Sequence, residues 1–304
     1  MVGKAQAECP ELGVVIVSYN TRSLLRDCLV SLRRQEGVEG LDVCVVDVAS
    51  GDGSAEMVRA EFAEARLIAL PTNVFYVRAN NLALRDMRAR ARPPRHYLLL
   101  NPDTRLPPGA LRHLLDVLGA YPAIGALGPR LTLPSGEIDW ACRRGFPTPM
   151  TALFHVSGLS RLFPRSRRFG RYRLTFLDER ALADVDSLVG AFMLVRGEAL
   201  EQVGLLDEAF WMYGEDLDLS RRIRGAGWRV VYDGRVDVLH HKRASTVQNP
   251  KVRLHFYHAM QVFFRKHYAP VTPPLARLLV ECVVGLLWAL AAIRLGRRQS
   301  GSAA

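Results

Sequence analysis

The chain is poor in the residues that build stapled or metal-nucleated proteins. Its five cysteines, Cys9, Cys28, Cys44, Cys142 and Cys282, are odd in number and scattered over 304 residues. None forms a CxxC pair, so a structural zinc site with four clustered soft ligands is not available. A disulfide scaffold does not suit so long a chain. Glycine (24) and proline (17) are too few for a collagen-like chain or a linker. No GxGxxG follows the first strand and no GxxxxGK[ST] occurs anywhere, which disfavours a dinucleotide dehydrogenase or a P-loop enzyme. No helix-turn-helix, zinc-finger or RNP signature points to nucleic acid. Residues 1–11 are polar and mixed, without the apolar core of a leader, and the expectation is a cytoplasmic protein. Lysine is scarce too. Of 41 basic residues only Lys4, Lys242, Lys251 and Lys266 are lysines, which leaves 37 arginines.

What the chain does have is apolar mass and positive charge. At 49% hydrophobic it outweighs the entropy that keeps polar chains disordered, and its length suits one large domain or two small ones. The net charge is +11. Two basic segments read as anion-facing surfaces: Arg161, Arg165, Arg167, Arg168, Arg171 and Arg173, and then Arg265, Lys266, Arg277, Arg294, Arg297 and Arg298.

The first 130 residues alternate strand and helix. Leu12–Ser18, Leu41–Asp47, Arg66–Leu70 and His96–Leu100 read as buried strands. Helices are expected over Thr21–Gln35, from Ser54 as a cap to Phe62, and near Val77–Arg90. Such alternation predicts an α/β fold with a mostly parallel sheet and helices on both faces. Ligands then bind where strands end, here at Tyr19-Asn20, Asp47 to Gly53, Thr72-Asn73 and Asn101-Pro102-Asp103. In the second half, Asp186–Val195 reads as a strand. Glu198–Val203 reads as a short helix, and a further helix runs from Glu215 to Gly225 or Gly227. Trp228–Tyr232 and Val236–Leu239 read as two short strands, and residues 251–268 as a basic-aromatic helix.

Six segments, in order, carry a resemblance: VIVSYN (15–20), VDVASGDGS (46–54), NVFYVRANN (73–81), LLLNPDT (98–104), the long stretch from Gly190 to Tyr232 with its Glu215-Asp216 pair, and HHKRAS (240–245). They resemble the family-2 glycosyltransferases of the GT-A fold, and within these the rhamnosyltransferase-type enzymes of bacterial surface-polysaccharide assembly. The resemblance implies a catalytic domain over residues 1–245, with a donor-binding half at about 12–130 and an acceptor half at about 131–245. A helical, membrane-associating extension follows over 246–304.

It further implies a nucleotide-diphospho-sugar donor met by Ser18, Tyr19, Asn20, Asp47, Ser50, Asp52, Arg78, Asn81, Asn101 and Asp103. Asp47 would accept the N3–H of a pyrimidine base. A divalent cation, Mn2+ or Mg2+, is implied on Asp103 and His240, where it would neutralise the leaving diphosphate. Asp216 is implied as the general base of an inverting displacement. Trp211, Glu215 and His241 would meet a saccharide acceptor, which the resemblance implies is polyprenyl-diphosphate-linked. L-rhamnose from dTDP-rhamnose is the leading donor, ahead of UDP- and GDP-sugars. Two positions depart from the family: Val48, where it has Asn, and Phe75, where it has Gly. They support the rival reading of a non-catalytic nucleotide- or glycan-binding relative; a basic peripheral membrane binder is a second rival.

Read from the residues alone, several positions have plainer explanations. The 47–54 loop is also a polar turn with a helix cap, and Asn101-Pro102-Asp103 an ordinary turn. The acids opening the helix at Glu215 also complement its dipole, and Asp218 caps it or pairs with Arg221 or Arg222. Trp211 is equally a core residue. The apolar stretch Leu278–Ile293 is 16 residues, short of the roughly 20 that span a bilayer. With its basic flanks it is expected to lie in the membrane interface on the cytoplasmic side, not to span it.

Overall fold

The computed structural model describes residues 9–38, 40–242 and 252–301. Ser245 and the rest of the HHKRAS segment beyond Lys242 lie outside these, as do the side chains of Arg297 and Arg298.

The strands are β1 (Leu12–Ser18), β2 (Leu41–Val48), β3 (Arg66–Leu70), β4 (His96–Leu100), β5 (Thr104–Arg105), β6 (Ile124–Thr132), β7 (Leu182–Asp184), β8 (Phe192–Arg196) and β9 (Arg229–His240). The helices are α1 (Arg22–Arg33), α2 (Ser54–Glu61), α3 (Phe75–Arg88), α4 (Ala110–Ala120), α5 (Pro149–Val156), α6 (Leu159–Leu162), α7 (Gly197–Val203), α8 (Glu215–Gly225), α9 (Val252–His267) and α10 (Pro274–Gly301).

One sheet runs in the order β3-β2-β1-β4-β8-β6-β9-β5, with β7 also on β9. The first four strands are parallel, joined by α1, α2 and α3. Because such strands are buried on both faces, they read as unbroken apolar runs, and every residue of β1 is buried. The chain leaves β1 towards β2 and β3, then crosses back to β4 on the other side. The sheet order therefore reverses between β1 and β4, which opens a crevice at their carboxyl ends. β8 is antiparallel to both β4 and β6, and its register sets Phe192 opposite Leu100. The entry to β8 thus sits beside the exit of β4, inside the crevice.

Several expectations are corrected. Ser54 is the first residue of α2, not its cap; its N–H and hydroxyl donate to Asp52 Oδ1 at 3.0 and 2.5 Å. Residues 186–191 are irregular, and β8 starts only at Phe192. The two expected C-terminal strands are one strand of 12 residues, β9. Its Asp233-Gly234 is not a turn. Between Pro129 and Arg130 the register with β6 slips, so that β9 carries extra residues as a bulge. Gly234 is needed there, because a Cβ would collide with the Glu179 backbone.

α9 packs on the body through buried Ala259, Phe263 and Phe264, while Lys266 and His267 donate to the buried Asp218 of α8. α10 stands away from the body. Its segment Pro274–Leu295 is 22 residues with mean hydropathy 2.1, and 6% of its most apolar window is buried. At 1.5 Å per residue it reaches about 33 Å, so length does not prevent it from spanning a bilayer. The 16-residue estimate stopped at Arg277 and Arg294, whereas the apolar helix runs through both, from Pro274 to Leu295. The basic C-terminal cluster is also less free than expected, since Arg265 and Arg277 both pair with Glu281.

Candidate active site

The donor side is built from the ends of β1 and β2. Asp47 is buried, and its Oδ1 accepts the Ser50 N–H at 2.9 Å. Its Oδ2 is buried without a partner, an expensive state for a carboxylate oxygen and one that a ligand N–H would relieve. The other polar residues here hold the two loops to each other. Asn20 N–H donates to Ser50 Oγ at 2.9 Å, Gly51 N–H to Asn20 Oδ1 at 2.8 Å, and Arg22 N–H to Asp52 Oδ2 at 2.8 Å. Ser18 is fully buried and shares a hydrogen bond with Thr21.

The side chains of Ser18, Ser50 and Asp52 brace the cradle. Asn81 is engaged by the protein as well. That amide is buried and spans to Leu206 N–H, Leu206 C=O and Glu208, fastening α3 to the 204–210 loop. Tyr19 stays half-exposed at the rim. Arg78 lies at the mouth of a small pocket with Val74, Phe75, Glu208, Phe210 and Trp211, and leans towards Glu208 at 3.5 Å.

On the far side of the crevice, the ladder between β5 and β9 sets Thr104 opposite His240, and His241 N–H donates to Asp103 C=O at 2.9 Å. That register brings His240 Nε2 to 3.4 Å from Asp103 Oδ1. His240 Nδ1 bonds Asp139 Oδ2 at 3.0 Å, and Lys242 pairs with the other Asp139 oxygen. Asp139 was not foreseen; it lies 101 residues from His240 and shares no local pattern with it. Burial works against the imidazolium, but its hydrogen bonds to the Asp103 and Asp139 carboxylates overcome it and push His240 up to about 9. The same two cations hold Asp139 well below the carboxylate range despite its burial. His241 itself is exposed and meets the site only through its backbone.

The donor set suits a divalent ion. Asp103 offers a hard oxygen, and His240 an imidazole whose far nitrogen is oriented by a carboxylate, the usual support of a metal-bound histidine. Among the described residues there is no cluster of three or more such ligands. An ion here would complete its shell with diphosphate oxygens and water.

The remaining wall is the Glu215-Asp216 pair at the start of α8. Asp216 Oδ2 accepts from Arg144 at 2.7 Å and from Gly190 N–H at 3.2 Å, while Oδ1 accepts Leu217 N–H at 2.7 Å. A carboxylate has about four lone-pair sites, so one on Oδ1 remains for an incoming hydroxyl. Glu215 is buried, and its Oε2 has no partner. Burial, then the Asp216 charge, pushes it up to about 8. Arg144 touches Asp216 and not Glu215, and the proton of the pair stays on Glu215.

Gly190 and Ala191 join these parts. Gly190 C=O accepts from Tyr76 Oη at 2.9 Å and Ala191 C=O accepts Asn101 N–H at 2.9 Å. One two-residue stretch therefore ties α3, the Asn101–Asp103 loop and Asp216 together. Residues 10–255 match the model of a family described as glycosyltransferase like family 2. The chain belongs to glycosyltransferase family 2. This glycosyltransferase is 33% identical over 259 residues to an N-acetylglucosaminyl-diphospho-decaprenol L-rhamnosyltransferase of Mycobacterium tuberculosis, over 83% of each chain. Its fold is similar to a mannosyltransferase from Pyrobaculum calidifontis in complex with GDP-Man and Mn2+, at TM-score 0.56 and 18% identity over 97% of this chain and 75% of that one. It is also similar to TarS of S. aureus in complex with UDP, at TM-score 0.55 and 15% identity over 88% and 68%.

Arg144, Tyr76 and Gly190 were not singled out by sequence reasoning. Arg144 lies 72 residues from Asp216 and Tyr76 114 from Gly190, so no spacing announces either pair. Trp211 is half-exposed rather than in the core, and stacks on His258 of α9 at 4.4 Å between ring centres. Asp218 takes the second of its open readings, pairing with Arg222 at 2.7 Å. Burial opposes its charge, but bonds from His267, Lys266 and Arg222 hold it down to about 2.

Proposed function

We propose that this glycosyltransferase moves a sugar, with inversion, from a nucleotide-diphospho-sugar to a saccharide carried on a polyprenyl diphosphate. The favoured donor is dTDP-L-rhamnose. The observation that carries the reading is Asp216: a buried carboxylate in a family-2 fold, fixed by Arg144 and Gly190, with one lone pair left open. It takes the proton of the acceptor hydroxyl as that oxygen attacks the anomeric carbon. Glu215, neutral at physiological pH, offers an O–H to the same acceptor, and Trp211 presents a ring face to a sugar. On the donor side Asp47 Oδ2 takes the N3–H of a pyrimidine. A Mn2+ or Mg2+ ion on Asp103 and His240 supplies charge neutralisation for the leaving diphosphate. His240 would hold such an ion through a neutral imidazole nitrogen.

The name of the mycobacterial relative supports both the rhamnose and the lipid-linked acceptor. Such an acceptor places the enzyme on the inner face of the cell membrane, in cell-surface polysaccharide synthesis, with α10 as its membrane contact. Because α10 is long enough to cross, a single span is a second reading of that contact.

The test is a panel of dTDP-, UDP- and GDP-sugars with Mn2+, read by thermal stabilisation and by transfer to N-acetylglucosaminyl-diphospho-polyprenol. dTDP-rhamnose is expected to give both, and chelation to abolish transfer. Stabilisation without turnover would favour the non-catalytic alternative.

A further inference from the structure

The excursion between β6 and β7 sends Asp139 and Arg144 into the site just described, but its arginine-rich part, residues 149–176, takes no part there. Residues 140–177 contain no Asp or Glu. Within them Arg144 serves Asp216 and Arg171 pairs with Asp186 at 2.8 Å. Arg161, Arg165, Arg167 and Arg168 are exposed, and among the described residues none has a carboxylate partner. Large apolar side chains stand out beside them: Leu162 is 70% exposed, Met150 53% and Phe163 47%.

The segment is nevertheless folded on itself. Phe169 packs against Phe154 edge-on at 4.9 Å and against Phe163 at 5.4 Å. Arg168 lies over the Phe154 ring at 5.7 Å and Arg167 over Phe176 at 5.9 Å. Apolar tips ringed by guanidinium groups that lack carboxylate partners are costly in water, and complementary to an anionic headgroup layer with acyl chains beneath it.

A second contact fixes where this element faces. The Arg221 guanidinium lies over the Phe146 ring at 5.2 Å and the Tyr268 ring at 4.8 Å. Phe146 leads into α5, and Tyr268 follows α9 in the short link to α10. The arginine-rich excursion and the exposed apolar helix therefore leave the body from one corner. Arg144, two residues before Phe146, reaches the catalytic Asp216.

We propose that residues 149–176 are a second, anionic-bilayer docking surface, independent of α10, which holds the acceptor side of the site at the headgroup layer. The proposal rests on the lipid-linked acceptor reading, but its measurement does not need it. The full chain is sedimented with vesicles of phosphatidylcholine alone and with added phosphatidylglycerol. The variant R161Q/R165Q/R167Q/R168Q is expected to lose at least about tenfold in affinity for the anionic vesicles, since each charge near such a surface adds roughly 1 kcal/mol. Its binding to neutral vesicles, through α10, should stay unchanged. L162S/M150S, which alters the two most exposed apolar tips, should weaken binding to both.

Anionic binding unchanged in both variants overturns the proposal. So does a loss explained by a lower melting temperature in both, or by dissociation of a self-associated form of the wild type. If vesicle binding behaves as expected but no lipid-linked acceptor is used, the docking surface stands and the functional reading falls.

Discussion

The two sides of the crevice use polar residues in opposite ways. On the donor side, Ser50, Asp52, Asn20 and Asn81 spend their hydrogen bonds on the protein, and Asp47 Oδ2 alone among those carboxylate oxygens is left over. On the catalytic side the imbalance is large. Glu215 is buried with an orphan oxygen and pushed up to about 8, and His240 is drawn between two carboxylates. A saturated cradle fixes geometry at little electrostatic cost, whereas an unsaturated wall stores the chemistry. The side that looks richest in polar residues by sequence is thus the more structural of the two.

Substitutions sharpen or break this contrast. The largest effect is expected for Asp216→Asn, which keeps size and removes the base: transfer should fall about 1,000-fold, the range of general-base catalysis. Donor affinity measured by calorimetry should hold. An equal loss of donor affinity would move Asp216 to a binding role.

Next is Asp139→Asn, which leaves Asp103 and His240 in place and loosens the imidazole. Mn2+ affinity in the presence of a nucleoside diphosphate should weaken by about 10- to 100-fold. Unaltered affinity would remove Asp139 from the metal site.

Glu215→Gln should change the pH response of stability. The folded protein keeps this proton up to about pH 8, while an unfolded glutamate releases it above 4.5. Between those values the unfolded state binds fewer protons, so Glu215 makes wild-type stability fall as pH rises. The glutamine variant should show a flatter melting curve across that window; parallel curves would contradict a buried neutral Glu215.

Smallest is Ser50→Ala. The Asn20 N–H loses its acceptor, which costs about 1 kcal/mol. The melting temperature should drop slightly while the transfer rate barely changes. A large rate loss would mean that the cradle touches donor after all.

The same contrast explains how much could be read beforehand. β1 and β4 were legible to the residue because a parallel strand covered on both faces has only one apolar pattern to show. The edge strand β3 was legible too, although none of its residues is fully buried. β6 was not, since Gly125, Gly128 and Pro129 make it look like a loop. β9 was split at Asp233-Gly234 because a bulge and a turn share the same local chemistry. In the site, Asp216, Asp103 and His240 were visible through short motifs. Arg144, Asp139 and Tyr76 were not, because each acts on a partner far along the chain and carries no periodicity of its own.

Among the described residues, six other than glycine hold a left-handed backbone, and five of them are Asn20, Ala49, Phe75, Tyr213 and Lys242. Every one stands at a strand exit or helix entry around the crevice; Leu174 is the exception. Such a conformation costs roughly 1–2 kcal/mol for a residue with a side chain, so the rim carries strain that the core does not. A thermostabilising campaign would be drawn first to these positions, where glycine relaxes the backbone at once. It would be editing the shape of the substrate opening while believing that it edited loops, and heat resistance and turnover would move in opposite directions.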